Sequence, residues 1–194
     1  MEAGTRTAEI VARLREHPVG AAIKDRGQLE RALASPSAVL FILRGDGLEL
    51  APALRRIHAA GKLAAVHLDL VEGIGRDHVG VRWLIRAGAD AVISSHGHLV
   101  RTVRASGVVA IQRLLLSDGA SIAAGLAAVE RAEPDLIEVL PGAILPHVRD
   151  LLAERVRVPL LAGGFIRSAA DVDAALAAGA FAVSTSSPEL WGRR

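Results

Sequence analysis

Two short polar clusters close two successive apolar runs near the C-terminus: Gly163-Gly164 ends one and Ser184-Thr185-Ser186 ends the next. Glycine lets backbone amides approach an anion with no Cβ in the way, and hydroxyls add donors, so together the clusters read as a phosphate cup. A short terminal helix beginning near Ser187 would aim its unpaired amides and positive dipole end at the same point. Taken singly, Gly-Gly is also an ordinary tight turn and Ser-Thr-Ser an ordinary helix start. Their place on consecutive runs is what favours phosphate.

Further polar residues stand where apolar runs end: Lys24, Asp69 with Glu72, Gln112 with Arg113, Glu138, and Arg167. A buried carboxylate needs a partner, so Asp69 and Glu138 require Lys24, Arg113 or ligand hydroxyls. Strand alternation would put His67 and Asp69 on one face. Cations facing phosphate and carboxylates facing hydroxyls suit a small polyol phosphate. A purely structural ion-pair ring is the alternative for any one of these residues. The same groups would also serve an enzyme acting on a phosphorylated triose, sugar or glycerol derivative, with Asp69 or Glu138 as base and Lys24 or His67 as acid. His67, His96 and His98 match no compact metal-ligand spacing, so neither a metal nor a cofactor is expected.

The elements that must position these residues are eight short apolar runs: Val19 to Lys24, Val39 to Leu43, Leu63 to Leu70, Ala91 to Ser95, Val108 to Arg113, Leu136 to Leu140, Pro159 to Gly163 and Ala182 to Ser184. They recur about every 25 residues, as repeated β/α units do, and are apolar enough for strands buried on both faces. Between them lie residues at helical spacing: Leu29, Ala32, Leu33; Leu54, Ile57, His58; Val81, Leu84, Ile85; Ile122, Leu126, Val129; and Val172, Ala175, Leu176. Ser168 and Asp171 form a capping pair, and Gly61, Gly88, Gly107 and Gly179 follow helix ends. The expected fold class is α/β, a compact (β/α)8 TIM-type barrel with a truncated final helix, favoured over an open doubly wound sheet by the even spacing and the paired phosphate clusters. Residues 1–194 read as one barrel domain, with 1–18 an extra N-terminal helix and lead-in. That helix, apolar at Ile10, Val11 and Leu14, would cover the barrel floor or part of the flank left by the missing last helix. Alternatively the flank is a homodimer contact anchored by Trp191.

Composition sets the outer bounds. The 194 residues are 51% apolar and contain no cysteine, which removes disulfides and thiolate metal sites. The first 15 residues alternate charges with alanines, unlike a signal peptide or a membrane span, so a soluble, cytoplasmic protein is expected. Net charge is only +2, aromatic content is 3%, and tyrosine is absent, leaving few platforms for stacking nucleobases.

At these residues the chain resembles the glycerol-3-phosphate responsive antiterminators. The stretches that carry the likeness are His67-Leu-Asp-Leu-Val-Glu-Gly73, Ile111-Gln-Arg-Leu114 with Asp118, Ile137-Glu-Val-Leu-Pro-Gly142, Ala162-Gly-Gly-Phe-Ile-Arg167, and Ala180 to Ser186 followed by Leu190-Trp191. The resemblance implies glycerol 3-phosphate as effector and leader mRNA as partner, in a non-catalytic regulator of glycerol-catabolic operons. It suggests Gly163, Gly164 and Ser184 to Ser186 for phosphate, and Asp69, Glu72, Gln112, Arg113, Glu138 and Arg167 for the mouth. One departure follows the fourth run, where Ser94-Ser95-His96 puts an imidazole where the family tends to carry Lys or Arg. The segment Arg44-Gly-Asp-Gly47 is also less like the family.

Overall fold

The computed structural model describes residues 3–193. An N-terminal helix α1 (Ala3–Glu16) leads into β1 (Val19–Ile23), α2 (Gln28–Ala34), β2 (Val39–Ile42), a two-residue β3 (Gly45–Asp46) and α3 (Gly47–Ala59). Then come β4 (Leu63–His67), a 3-10 turn (Leu68–Leu70), a two-residue β5 (Val71–Glu72), α4 (His78–Ala87), β6 (Ala91–Ser94), α5 (Gly97–Ala105) and β7 (Val109–Leu115). The chain ends with α6 (Gly119–Ala132), β8 (Leu136–Leu140), α7 (Leu145–Arg155), β9 (Leu160–Gly163), α8 (Ala169–Ala177), β10 (Ala182–Thr185) and a 3-10 turn (Pro188–Leu190).

Eight parallel strands close a barrel in the order β1-β10-β9-β8-β7-β6-β4-β2, while β3 and β5 pair separately on its mouth. The expected (β/α)8 TIM-type barrel is the observed fold. Its residues sort by strand alternation. Ala22, Phe41, Ala65, Ile93, Ile111, Leu136, Leu161 and Ala182 fill the interior, and Ile10 and Leu14 of α1 join that inner cluster. The N-terminal helix therefore plugs the floor, the first of the places its apolar face suggested. Alternate strand residues, such as Leu40, Val66, Val92, Ala110 and Val183, face the outer helices. Because Ile10 is 2% exposed against the barrel interior, Ile10→Val is expected to lower stability by about 1 kcal/mol in urea denaturation. An unchanged midpoint would mean α1 does not dock.

The local signals agree with the global fold at several points. Ser168 and Asp171 form a reciprocal capping box on α8, and Gly61, Gly88, Gly107 and Gly179 all take positive φ after their helices. The crossover helices α5 and α7 are additions to those named from periodicity; they bury Leu99, Val100 and Val103 in α5 and Leu145 and Leu152 in α7.

The last crossover is trimmed further than expected, to one 3-10 turn. Trp191 folds back into its own chain at 1% exposure. Its indole Nε1 donates to the Thr185 carbonyl at 2.8 Å, and Ser37 Oγ donates to the Trp191 carbonyl at 3.2 Å. A side chain so enclosed cannot anchor a second copy, so that reading of Trp191 is corrected: it seals the flank left by the missing helix.

Candidate functional site

Arg113 and Glu138 are register partners on β7 and β8, and their alternation with Ile111 and Leu136 turns both toward the interior. Arg113 Nε donates to Glu138 Oε2 at 2.9 Å, and Ser184 Oγ donates to Glu138 Oε1 at 2.9 Å. The carboxylate is 1% exposed, so its buried charge is both paired and hydrogen-bonded, as burial requires. Gly163 makes the room: a Cβ there would stand 2.6 Å from Glu138 Oε1 and 2.8 Å from Ser184 Oγ. Its close neighbours are therefore the Glu138 carboxylate and the Ser184 hydroxyl.

Above this layer opens a cleft of about 950 Å³, lined among others by Lys24, Arg113, Glu138, Gly164, Arg167 and Ser184 to Ser187. Gly164 (φ +79°) and Phe165 (φ 59°) turn the chain through the left-handed region, strained for a phenylalanine and common where backbone is set for a purpose. The amides of Gly164, Phe165 and Ser186 donate to no acceptor among the described residues. Lys24 is exposed at this rim and pairs with no described carboxylate. Arg113 spends Nε on Glu138 and leaves its terminal nitrogens without a described partner. The Arg167 guanidinium lies 5.1 Å over the Phe165 ring, a cation–π contact that keeps it on the rim. Phe165 was not singled out from sequence; its one signal is a large apolar residue directly after Gly-Gly, and it is 62% exposed.

Two details of the expected cup are corrected. Ser184 and Thr185 have committed their hydroxyls, the first to Glu138 and the second to the Ile166 carbonyl at 2.6 Å; only Ser186 keeps a hydroxyl with no described partner. The terminal turn cannot supply a helix dipole either, because three residues of 3-10 beginning with proline hold almost no aligned amides. The Ser187 amide donates to Thr185 Oγ1 at 3.1 Å instead.

Three other residues expected at the mouth do not line this cleft. The third strand stops at His67, so Asp69 sits on a 3-10 turn and no longer shares a strand face with it. Asp69 accepts from Ser94 Oγ and the Ser95 amide, both at 2.7 Å, which satisfies its carboxylate without Lys24, Arg113 or a ligand. Glu72 is exposed on β5, paired in register with Asp46 of β3. Gln112 neighbours Arg113 on β7 and so faces the opposite way, with Ala110 and Leu114, among the outer helices; it is 2% exposed and its Oε1 has no hydrogen-bond partner among the described residues.

His67 shares the inner face with Ala65. It is 1% exposed, and neither ring nitrogen has a hydrogen-bond partner among the described residues. Burial, then the nearby Arg113 charge, pushes its pKa down from 6.5 to about 4, against an opposing pull from Asp69. At neutral pH it is an uncharged imidazole. Among the described residues no group of three or more His, Asp or Glu side chains is placed to hold a metal ion, and no helix is long and apolar enough to cross a membrane.

Comparison with known proteins fits this geometry to a family. The chain is 35% identical over 179 residues to the Escherichia coli (strain K12) protein YgcP, itself uncharacterized, covering 92% of this chain and 93% of that one. Among solved structures it is similar to the glycerol uptake operon antiterminator regulatory protein of Listeria monocytogenes str. 4b F2365, with TM-score 0.86, 29% identity and coverage of 91% and 95% of the two chains. It is also similar to a glycerol uptake operon antiterminator-related protein of Thermotoga maritima MSB8, with TM-score 0.80, 27% identity and coverage of 89% and 96%. The family model described as glycerol-3-phosphate responsive antiterminator matches residues 19–191, and the chain belongs to that family.

Proposed function

We propose that this protein senses glycerol 3-phosphate at the barrel mouth, binds leader mRNA in the cytoplasm and promotes transcription antitermination of glycerol-catabolic operons, without catalysing a reaction. The observation that carries this reading is a rim of free backbone amides beside three cations, Lys24, Arg113 and Arg167, none of which has spent its whole charge inside the protein. Such a rim suits a phosphate dianion. The phosphate set is accordingly Gly164, Phe165 and Ser186 through their amides, with the three cations around them. Gly163 and Ser184 support the set from below.

Both carboxylates an enzyme would use as base, Glu138 and Asp69, are already engaged. Each accepts hydrogen bonds on both oxygens, and His67, enclosed and uncharged at pH 7, lacks the imidazolium proton that a general acid would donate. These engagements support the reading of binding without turnover.

The test is a titration of leader RNA transcribed from the protein's own operon, with and without glycerol 3-phosphate. Specific affinity is expected to rise with ligand, as reciprocal coupling demands. Equal RNA affinity in both arms would defeat the sensor reading, and turnover of glycerol or triose phosphates would favour an enzyme. Lys24→Ala is expected to weaken glycerol 3-phosphate at least tenfold by calorimetry while leaving the melting temperature unchanged, because Lys24 is exposed and unpaired.

A further inference from the structure

The protein's charge is unevenly spread. Residues 74–107 carry five arginines against two aspartates, with no lysine or glutamate, whereas residues 108–193 carry seven arginines against ten acidic residues. The basic stretch forms the third and fourth staves, with α4 and α5 packed side by side. On α4, His78, Arg82 and Arg86 recur every four residues and are all exposed, a row about 12 Å long. On α5, His98, Arg101 and Arg104 do the same at every third residue.

The neighbouring acids, Asp77 and Asp90, offset only part of this charge, two against five arginines, although Asp77 lies near His78 and Arg82. Asp77 Oδ1 is taken by the Val79 and Gly80 amides at 2.8 Å, and Asp90 binds the Ala64 amide and His58 Nε2. Among the described residues, Arg104 is the one arginine of these rows with an acidic ion-pair partner, Glu133 of α6, at 2.6 Å. Arg55 of α3, exposed and without an ion pair among the described residues, extends the row on the other side. By contrast, the cations Arg26, Arg56, Arg155 and Arg193 on other elements are paired with Glu49, Glu30, Glu130 and Asp173.

We propose that this flank, from Arg76 at the mouth down the exposed rows of α4 and α5, is the surface that holds the RNA backbone. The partner is an RNA because the face offers forked cations for phosphates and hardly any aromatic surface; Trp83, its one aromatic residue, is half-buried against the core. Backbone contacts of this kind position a nucleic acid without reading its bases. The face also begins at the ligand mouth. Asp69, on the turn that follows β4, clamps the Ser94-Ser95 end of β6, so the loop carrying Arg76 and the start of α5 are tied together. The assignment rests on the RNA-binding reading above and adds a location to it.

The experiment compares three proteins on the same leader RNA at two salt concentrations in saturating glycerol 3-phosphate: the wild type, R82Q/R86Q/R101Q, and the control R15Q/R31Q/R149Q, which removes the same charge from other exposed sites. Calorimetry with glycerol 3-phosphate checks that each remains folded and competent. The face variant is expected to bind RNA at least tenfold more weakly, with its log K against log salt slope shallower by about 2, as loss of three phosphate contacts to a single strand predicts, while the control matches wild type. Equal loss in both variants, or none in the face variant, overturns the surface and leaves the function standing. A wild type that binds leader and scrambled RNA alike overturns both.

Discussion

Glu138→Leu is expected to lower folding stability by about 3–5 kcal/mol, the range seen when one member of a buried ion pair is removed. The reason lies in what stays behind. Arg113, with a side chain 10% exposed, would keep its charge inside the barrel with no carboxylate, and Ser184 would lose its acceptor. Arg113→Met combined with Glu138→Leu is expected to recover most of the loss, because two apolar side chains of similar size replace a mutually dependent pair. Urea denaturation of the two single variants and the double variant measures the coupling directly. A single-variant loss below about 1 kcal/mol would mean that water solvates Arg113 and that the pair does not organise the mouth. Glu138→Gln keeps the Ser184 bond but not the charge, and should weaken glycerol 3-phosphate by releasing Arg113 from its set direction.

That layer was partly legible in the sequence, and the reason is physical. Arg113, Glu138 and Ser184 lie on unbroken strands, where two-residue alternation carries a side chain's direction reliably from the apolar interior to the mouth. The same rule excludes Gln112, since adjacent strand residues face opposite sides; grouping it with Arg113 set the rule aside. Asp69 was misplaced because the apolar run 63–70 looks like one strand, while the backbone leaves β geometry after His67 and turns Asp69 toward Ser94. Nothing in residue type marks that change. Trp191 looked like a contact residue because a bare flank and a late tryptophan suggest a partner, yet the backbone carbonyls of its own last strand and the hydroxyl of Ser37 were the partners at hand. The floor plug was legible because Ile10 and Leu14 lie one helical turn apart on an otherwise charged helix.

His67 supplies the second large effect, one read through pH. Its folded-state pKa of about 4 lies below the ordinary 6.5, so between those values the unfolded chain takes up a proton that the folded chain refuses. Its contribution is therefore complete above pH 6.5, falls as pH drops toward 4, and levels off once folded His67 is protonated too. The full span is about 3 kcal/mol. Other groups titrate in the same window, so the measurement is a difference: urea denaturation of wild type and His67→Leu at pH 7.5, 6, 5 and 4.5. Leucine suits an enclosed position on the inner face with Ala65 and leaves no nitrogen without a partner, so the two proteins should differ by about 1 kcal/mol or less at pH 7.5. At pH 4.5 the leucine variant should have gained about 2–3 kcal/mol on wild type. Parallel curves would mean that His67 binds its proton as readily folded as unfolded and would overturn this account of the buried histidine. Because Arg113 is the second cause of the depression, an anion seated on its free nitrogens should narrow the gap. Repeating the series with saturating glycerol 3-phosphate thus links the buried histidine to the proposed ligand without any measurement of RNA.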